Sequence, residues 1–287
     1  MDYYDNGASH QGALRNIVEK QGELITKSKK VIRGIELFAF LSALFACLIM
    51  YLSTAKVGFY AIPIGVGSLI TLLTHLIVPS VYKGKLVKEV VNKEVINLYN
   101  YENSTNFDYL DKIKVRNNFN KEMGLFTRLA SVSTRFQIIG EDINIMNCTL
   151  VTSNGKSSTV HFDGIYMIYK KMCSKTFQLR TKGRPKLKGV KFSKQEGELY
   201  SEFVPFESNE IIDSYYINIF ESSLNSIELS KKKVYLGSNL KEIHFGYHPP
   251  KFMKYDEFTY EVFKEYYKYF SNILNLGLRI KEQLSDQ

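Results

Sequence analysis

Two long apolar runs stand close together near the beginning of the chain. The first extends from Ile35 to Ser53 and the second from Val57 to Pro79. Each is close to the roughly 20 apolar residues that an α-helix needs to cross about 30 Å of hydrocarbon. Because only the residues from Thr54 to Lys56 separate them, the pattern predicts a tight transmembrane helical hairpin. The alternative is a buried helical hairpin in a soluble protein.

Basic residues flank the two open ends of this hairpin. Lys56 alone occupies the tip, whereas seven basic residues lie just outside the runs: Lys27, Lys29, Lys30, Arg33, Lys83, Lys85 and Lys88. Basic residues near the ends of spans stay in the cytoplasm. We therefore expect a protein of the bacterial inner (cytoplasmic) membrane, with two spans and both termini cytoplasmic. A signal peptide is disfavoured because the first run begins far from Met1 and leads directly into a second run.

The spacing of apolar residues divides the rest of the chain into three parts. Residues 1–34 are predicted to form a cytoplasmic arm that ends in a helix, because apolar residues recur at helical spacing there. Residues 80–134 are predicted to form a stalk helix, ending near Tyr99, and a connecting region. Residues 135–287 are predicted to form a cytoplasmic α+β domain, because after Arg135 the apolar period changes to two.

Turn and cap signals predict antiparallel hairpins and two helices in this domain. Ser153-Asn154-Gly155 is a strong turn signal, and Gly164 is predicted to mark a bulge in the returning strand. Further strand pairs are predicted around 182–185 and around the turn 237–239. An amphipathic helix spans 211–224, with Ser208 as its N-cap, and a terminal helix spans 258–284. The predicted fold is thus a membrane-anchored α+β protein: a two-helix transmembrane hairpin with a domain of antiparallel β-hairpins and helices.

Three segments of the chain carry a family resemblance: Ile139 to Ile143, His161 to Gly164, and the helix and hairpin from Asn209 to Tyr247. In these segments and in the order of its parts, the chain resembles an uncharacterised bacterial family of two-span membrane proteins. The resemblance implies the architecture and brings no activity. The overall plan is also similar to two-span membrane effectors of bacterial anti-phage systems, including those encoded beside retrons, a likeness of architecture alone.

The most unusual soluble segment runs from Lys170 to Lys194. It holds ten basic residues and no acidic residue, in a chain with a formal net charge of +9. Interleaved apolar residues predict a hairpin with one basic face, formed by Lys175, Arg180, Lys182, Arg184, Lys186, Lys188 and Lys191. Such a face can bind lipid headgroups or a nucleic acid or ribonucleoprotein partner. It can also be a solvated surface that keeps the domain soluble.

Small and polar residues form a stripe along the second apolar run. They are Ala61, Gly65, Ser68, Thr71 and His75, and a comparable small face on the first run comprises Ala39, Ala43, Ala46 and Cys47. The stripe is explained either by packing within one hairpin or by assembly of several hairpins as a homo-oligomer. Glu36 and His75 lie near the cytoplasmic ends of their runs and are expected to meet at one depth. Ionisable groups there are costly unless they are paired or hydrated, although both can also extend to the interface.

Signals for catalysis are weak. Gly65-Val66-Gly67 lies in an apolar run and cannot follow a strand as a nucleotide loop does. His161 and Asp163 are predicted to be a structural pair, Glu141-Asp142 a turn, and His244 and His248 parts of a strand and its exit. The three cysteines lack the spacing of a metal site. We therefore expect no cofactor, no metal and no enzymatic activity.

These features favour an effector of an abortive-infection, anti-phage system. In this hypothesis a protein or ribonucleoprotein partner binds the cytoplasmic domain, and the hairpin disrupts the membrane on activation. Membrane lipids and further copies of the chain are the other expected partners. The alternative is a non-toxic membrane anchor or scaffold. A membrane-tethered hydrolase would need a pocket built from residues distant in sequence.

Overall fold

The computed structural model describes residues 10–53, 61–110, 131–153, 155–185, 190–206, 211–227, 233–249 and 259–285. Contacts divide the chain into two compact units, Met1–Leu98 and Tyr99–Gln287. The predicted boundaries at 80 and 135 therefore fall on either side of the observed one.

The first unit is helical. Helix α1, His10–Leu52, contains both the predicted arm helix and the first apolar run without a break. Helix α2, Ala61–Leu86, contains the second run from Ala61 onward and continues through Pro79, whereas residues 57–60 lie outside the described residues. A π-helical turn, Val87–Val91, connects α2 to α3, Asn92–Asn103. The predicted continuation of the helix past Pro79 is present, and it ends four residues later than expected, where Ser104 adopts a positive φ of 51°.

A nine-stranded antiparallel sheet dominates the described part of the second unit. Its order is β1-β2-β3-β4-β9-β8-β5-β7-β6. The strands are β1 Asp108–Leu110, β2 Ser131–Ile139, β3 Ile143–Ser153, β4 Ser158–Tyr169, β5 Thr176–Arg180, β6 Phe192–Glu196, β7 Ser201–Pro205, β8 Val234–Asn239 and β9 Ile243–Tyr247. The α+β class predicted from the sequence is confirmed.

The β3–β4 hairpin lies where the turn signal predicted it, but the predicted bulge at Gly164 is wrong. The register shifts between Leu150 and Val151, so that His161 is the extra residue. Gly164 has another role. A Cβ atom at this position would lie 2.3 Å from the carbonyl oxygen of Tyr247. Only a residue without a side chain therefore allows β9 to approach β4 so closely.

The predicted strand pair around 182–185 is wrong. Strand β5 pairs with β8 and β7, whereas β6 pairs, among the described strands, with β7 alone. Because β7 lies between them, β5 and β6 run in the same direction and are joined by a crossover. The turn signal itself is real, since Gly183 has a φ of 84°. The later strand β7, which the sequence pattern did not reveal, takes the place beside β5.

Two helices complete the second unit. Helix α4, Ser214–Ser226, begins after Asp213, whose side chain accepts a hydrogen bond from the Tyr215 amide. The predicted cap, Ser208, lies outside the described residues, and Ile211 precedes the helix. Helix α5, Tyr260–Ser285, confirms the predicted terminal helix. It packs on the sheet through Gly277, where a Cβ atom would lie 2.9 Å from Ile143 Cδ1.

Candidate functional site in the helical hairpin

Small residues bring α1 and α2 into close contact. A Cβ atom on Gly67 would lie 3.6 Å from Ala43 Cβ and 3.7 Å from the carbonyl oxygen of Ala39. The predicted small face of α1 therefore packs against α2. On α2, however, the contact centres on Gly67 and not on Gly65, which has open space around it. Buried Thr74, seven residues after Gly67, lies about two helical turns further along the same face.

The side chains of Glu36 and His75 meet across the hairpin. Glu36 Oε1 lies 2.7 Å from His75 Nε2, which confirms the contact predicted from their equivalent depths. The distance fits an ion pair with a protonated imidazole or a hydrogen bond from a neutral one. The pair is not enclosed by the hairpin, because the Glu36 and His75 side chains are 36% and 55% exposed.

A groove of about 690 Å³ runs between the helices and ends at this pair. Its lining includes Glu36, Ser68, Thr71 and His75 from the predicted set, together with Ala39, Phe40, Ala43, Leu44, Cys47, Ile64, Gly67 and Leu72. Ala61 and Gly65 of the predicted stripe are exposed and do not line it. The stripe is thus only partly assembled.

Two hydroxyl groups of α2 donate hydrogen bonds within their own helix. Ser68 Oγ donates to the Ile64 carbonyl at 2.9 Å, and Thr74 Oγ1 donates to the Ile70 carbonyl at 2.8 Å. Such hydrogen bonds remove the cost of placing a hydroxyl in an apolar environment. The groove therefore presents mainly apolar and small side chains, and the carboxylate and imidazole of its lining lie at the end occupied by Glu36 and His75. This composition suits the packing of another helix.

Arg180 does not belong to an exposed basic face. Its side chain is buried, with 3% of the residue exposed, because it ends β5 inside the sheet. Its Nη1 donates to Gln178 Oε1 at 2.8 Å, and its guanidinium lies 4.7 Å from the centre of the Tyr235 ring. Arg180 takes part in none of the ion pairs between described residues. Burial lowers its pKa to about 10.

The other predicted basic residues do not share one hairpin face. Lys175 precedes β5, whereas Lys182 and Arg184 follow its opposite end. Lys191 precedes β6. Because β6 pairs with β7 and β7 pairs with β5, the register places Lys191 at the same end of the sheet as Lys175. Lys186 and Lys188 lie outside the described residues. The crossover from β5 to β6 therefore divides the basic segment between two ends of the sheet.

The acidic and histidine candidates are engaged in different local contacts. Asp163 pairs with Arg135 at 3.0 Å and accepts from Thr149, whereas His161 contacts Thr152 Oγ1 at 2.7 Å. Asp142, in the β2–β3 turn, pairs with Lys281 at 3.1 Å. Buried His244 contacts the Tyr166 hydroxyl at 2.9 Å.

No group of three or more metal-ligating side chains occurs within the described ranges. Burial raises the pKa of the Cys148 thiol to about 12, which keeps it protonated and unreactive.

Comparison of the chain with protein-family models, curated proteins and solved structures finds no match. The two-span family resemblance and the likeness to retron-encoded effectors therefore stay predictions from the sequence. The geometry of the hairpin and of the sheet is what supports a function.

Proposed function

We propose that this chain is a two-span inner-membrane effector of an anti-phage, abortive-infection system. A protein or ribonucleoprotein partner restrains it through the cytoplasmic domain. On release, several hairpins assemble and compromise the bilayer. The observation that supports this proposal most strongly is the contact of Glu36 with His75 at the open end of an apolar groove.

The surface of the hairpin supports its place in a membrane. Both helices are long and apolar enough to cross a bilayer, and only 6% of the apolar 18-residue stretch in each helix is buried. Large side chains such as Phe38 and Leu76 face outward, with 72% and 65% of each residue exposed. A core helix of a soluble protein would bury such residues. Hydrocarbon is the environment in which this surface is stable.

The ionisable pair gives a reason for assembly. An ionised residue at the centre of a membrane helix costs about 2.5 to 3.5 kcal/mol on insertion scales, and the cost falls toward the interface. Glu36 and His75 reduce this cost by pairing, but each keeps an exposed side. A second hairpin packed over the groove covers that side, and its close approach is favoured by the small residues of the lining. Assembly around the pair also provides a polar route through which water can enter the membrane.

A second function, a non-toxic anchor or scaffold, is favoured by one observation. Gly67 packs against Ala39 and Ala43, and Ser68 and Thr74 satisfy their hydroxyls within α2. A hairpin with these contacts is stable as a single copy, and its groove can be filled by lipid. The anchor then needs no assembly.

Expression of the chain without its genomic neighbours separates the two functions. The effector depolarises the host membrane and stops growth, as reported by a potential-sensitive dye. The double variant Glu36→Leu, His75→Leu should remain in the membrane fraction after alkaline extraction and lose the depolarisation. Glu89→Gln, which changes an exposed carboxylate beside Lys85 outside the apolar runs, is the matched control and should stay toxic. Normal growth and potential with membrane-inserted wild-type protein would reject the effector and leave the anchor.

A further inference from the structure

Three large apolar side chains are exposed close together at one end of the sheet. Met172 is 80% exposed, Ile211 74% and Leu240 47%. The loop after β4 approaches the tip of the β8–β9 hairpin, since the Cys173 amide donates to the Leu240 carbonyl at 3.0 Å. Lys175 Nζ donates to the Ile211 carbonyl at 3.4 Å. These contacts define one surface, the loop edge, formed by residues 170–175, residues 240–241 and Ile211.

The backbone of Leu240 is strained, and its side chain is exposed. Leu240 has a φ of 75°, and Ser104 is the other non-glycine residue with positive φ in the described part of the chain. Leu240 and Lys241 are the central residues of the turn between β8 and β9, which is closed by a hydrogen bond from the Asn239 amide to the Glu242 carbonyl at 3.3 Å. A positive φ at the first central residue of such a turn is usually adopted by glycine. Asn239 stabilises the loop, because its Oδ1 accepts from the amides of Lys241 and Glu242. An exposed leucine held in an unfavourable conformation points to a role in binding.

Lysine residues surround these apolar side chains. They are Lys170, Lys171, Lys175 and Lys241, and Lys191 lies at the same end of the sheet. Among the described residues, the nearby carboxylates are Glu141, Asp142, Asp213 and Glu242. Asp142 pairs with Lys281, and Glu242 lies 3.4 Å from His244. Asp213 caps α4. The described residues of the loop edge therefore combine three protruding apolar side chains with four lysines.

We propose that the loop edge docks on the anionic lipid surface of the membrane that anchors the chain. Met172, Leu240 and Ile211 enter the boundary between headgroups and acyl chains, and the lysines contact lipid phosphates. The inference rests on the membrane anchoring proposed above. That anchoring also supports lipid as the ligand of the loop edge. A tethered domain meets the bilayer at high effective concentration, so weak binding to lipid is sufficient for docking. The docked surface is distinct from the loop of Lys182 and Arg184, which lies at the opposite end of β5.

The absence of tryptophan from the chain provides a direct test. Full-length Met172→Trp protein is reconstituted in phosphatidylcholine vesicles that contain anionic phosphatidylglycerol and a brominated lipid, which quenches tryptophan in the bilayer. Leu44→Trp, on the hairpin, is the reference for insertion. Val160→Trp is the matched control, because Val160 is 57% exposed near the opposite end of β4. We expect Met172→Trp to be quenched at least about half as strongly as Leu44→Trp, since docking reaches the acyl boundary, and Val160→Trp to be unaffected.

Charge variants test the lysines in the same assay. Adding Lys171→Glu and Lys241→Glu to Met172→Trp should reduce the quenching, as should vesicles without phosphatidylglycerol. Adding Lys182→Glu and Arg184→Glu should not, because they lie at the other end of the sheet.

Equal quenching of Met172→Trp and Val160→Trp, with strong quenching of Leu44→Trp, would overturn the docking and leave the anchoring intact. A blue-shifted emission from Met172→Trp without quenching by the brominated lipid would also overturn it, since protein would then cover the loop edge. Failure of Leu44→Trp to be quenched would refute the anchoring and the docking together.

Discussion

Replacement of Gly67 tests how the hairpin is held together. A Cβ atom there meets Ala43 Cβ at 3.6 Å and the Ala39 carbonyl oxygen at 3.7 Å, which are ordinary contact distances. Gly67→Ala should therefore be tolerated. Gly67→Leu adds three more carbon atoms where α1 already lies, so the helices must separate by about 2 Å, within the range that side chains impose on helix pairs. Overpacking of this kind costs about 1 to 3 kcal/mol.

The matched control is Gly65→Leu. Gly65 is two residues away on the same helix, but nothing lies within 4 Å of a Cβ atom placed on it. Spin labels at Phe45 and Leu69, which face outward, report the distance between the helices by pulsed electron paramagnetic resonance in a background without the native cysteines. Gly67→Leu should lengthen and broaden the distance distribution, and Gly65→Leu should leave it unchanged. If both variants changed it equally, the contact between Gly67 and α1 would be refuted.

Three further predictions concern the second unit. Gly164→Ala should lower the free energy of unfolding by about 3 kcal/mol, because its Cβ would lie 2.3 Å from the Tyr247 oxygen; an unchanged denaturation midpoint contradicts this contact. Arg180→Met should change stability by no more than about 1 kcal/mol, because it removes a buried charge that forms no ion pair with a carboxylate among the described residues. Denaturant titration measures this change, and a large loss would show that the guanidinium itself stabilises the sheet. Burial raises the pKa of the Cys148 thiol from 9.0 to about 12 in the folded protein. Above about pH 9 this thiol therefore ionises in the unfolded chain before it ionises in the folded protein, and the free energy of unfolding falls as the pH rises. Ellman's reagent should therefore react with Cys148 at pH 9 only after unfolding, and rapid reaction of the folded protein would contradict the burial.

The sequence predicted the helical hairpin well because its signals are local. The length of each apolar run predicts a long helix. The rise per residue of these helices predicts which residues of the two helices lie at the same level along the hairpin. Glu36 and His75 could thus be paired before the structure was known. The identity of the packing glycine could not, because both Gly65 and Gly67 fit a small-residue face. Which of them faces α1 depends on the rotation of α2, which the sequence does not specify.

The sheet was predicted less completely because its pairing is not local. The β3–β4 hairpin follows from the turn at 153–155, where adjacent strands meet. The β5–β7 pair joins strands that are separated by β6 in sequence, and no turn signal records it. Arg180 illustrates the consequence. Its place in a run of basic residues predicted an exposed face, yet the insertion of β5 between β8 and β7 buries it against Tyr235.

The loop edge shows a similar limit. The turn of the last hairpin was predicted at 237–239, because glycine, serine and asparagine favour turns. The structure extends β8 through these residues and places the turn at Leu240 and Lys241. Cross-strand pairing with β5 and β9 outweighs the local preference. A leucine in the turn, exposed beside Met172, could therefore be found only from the three-dimensional structure.

The proposed function requires that the chain crosses a membrane twice with residues 10–34 and 80–285 in the cytoplasm. Single cysteines at Ser53, Lys85 and Ser285, in a background without the native cysteines, can be probed in bacterial spheroplasts with a membrane-impermeant maleimide. We predict labelling of Ser53→Cys in intact spheroplasts, and of Lys85→Cys and Ser285→Cys only after permeabilisation. Labelling of Ser285→Cys in intact spheroplasts, or recovery of the full-length chain in the soluble fraction, would contradict the claim.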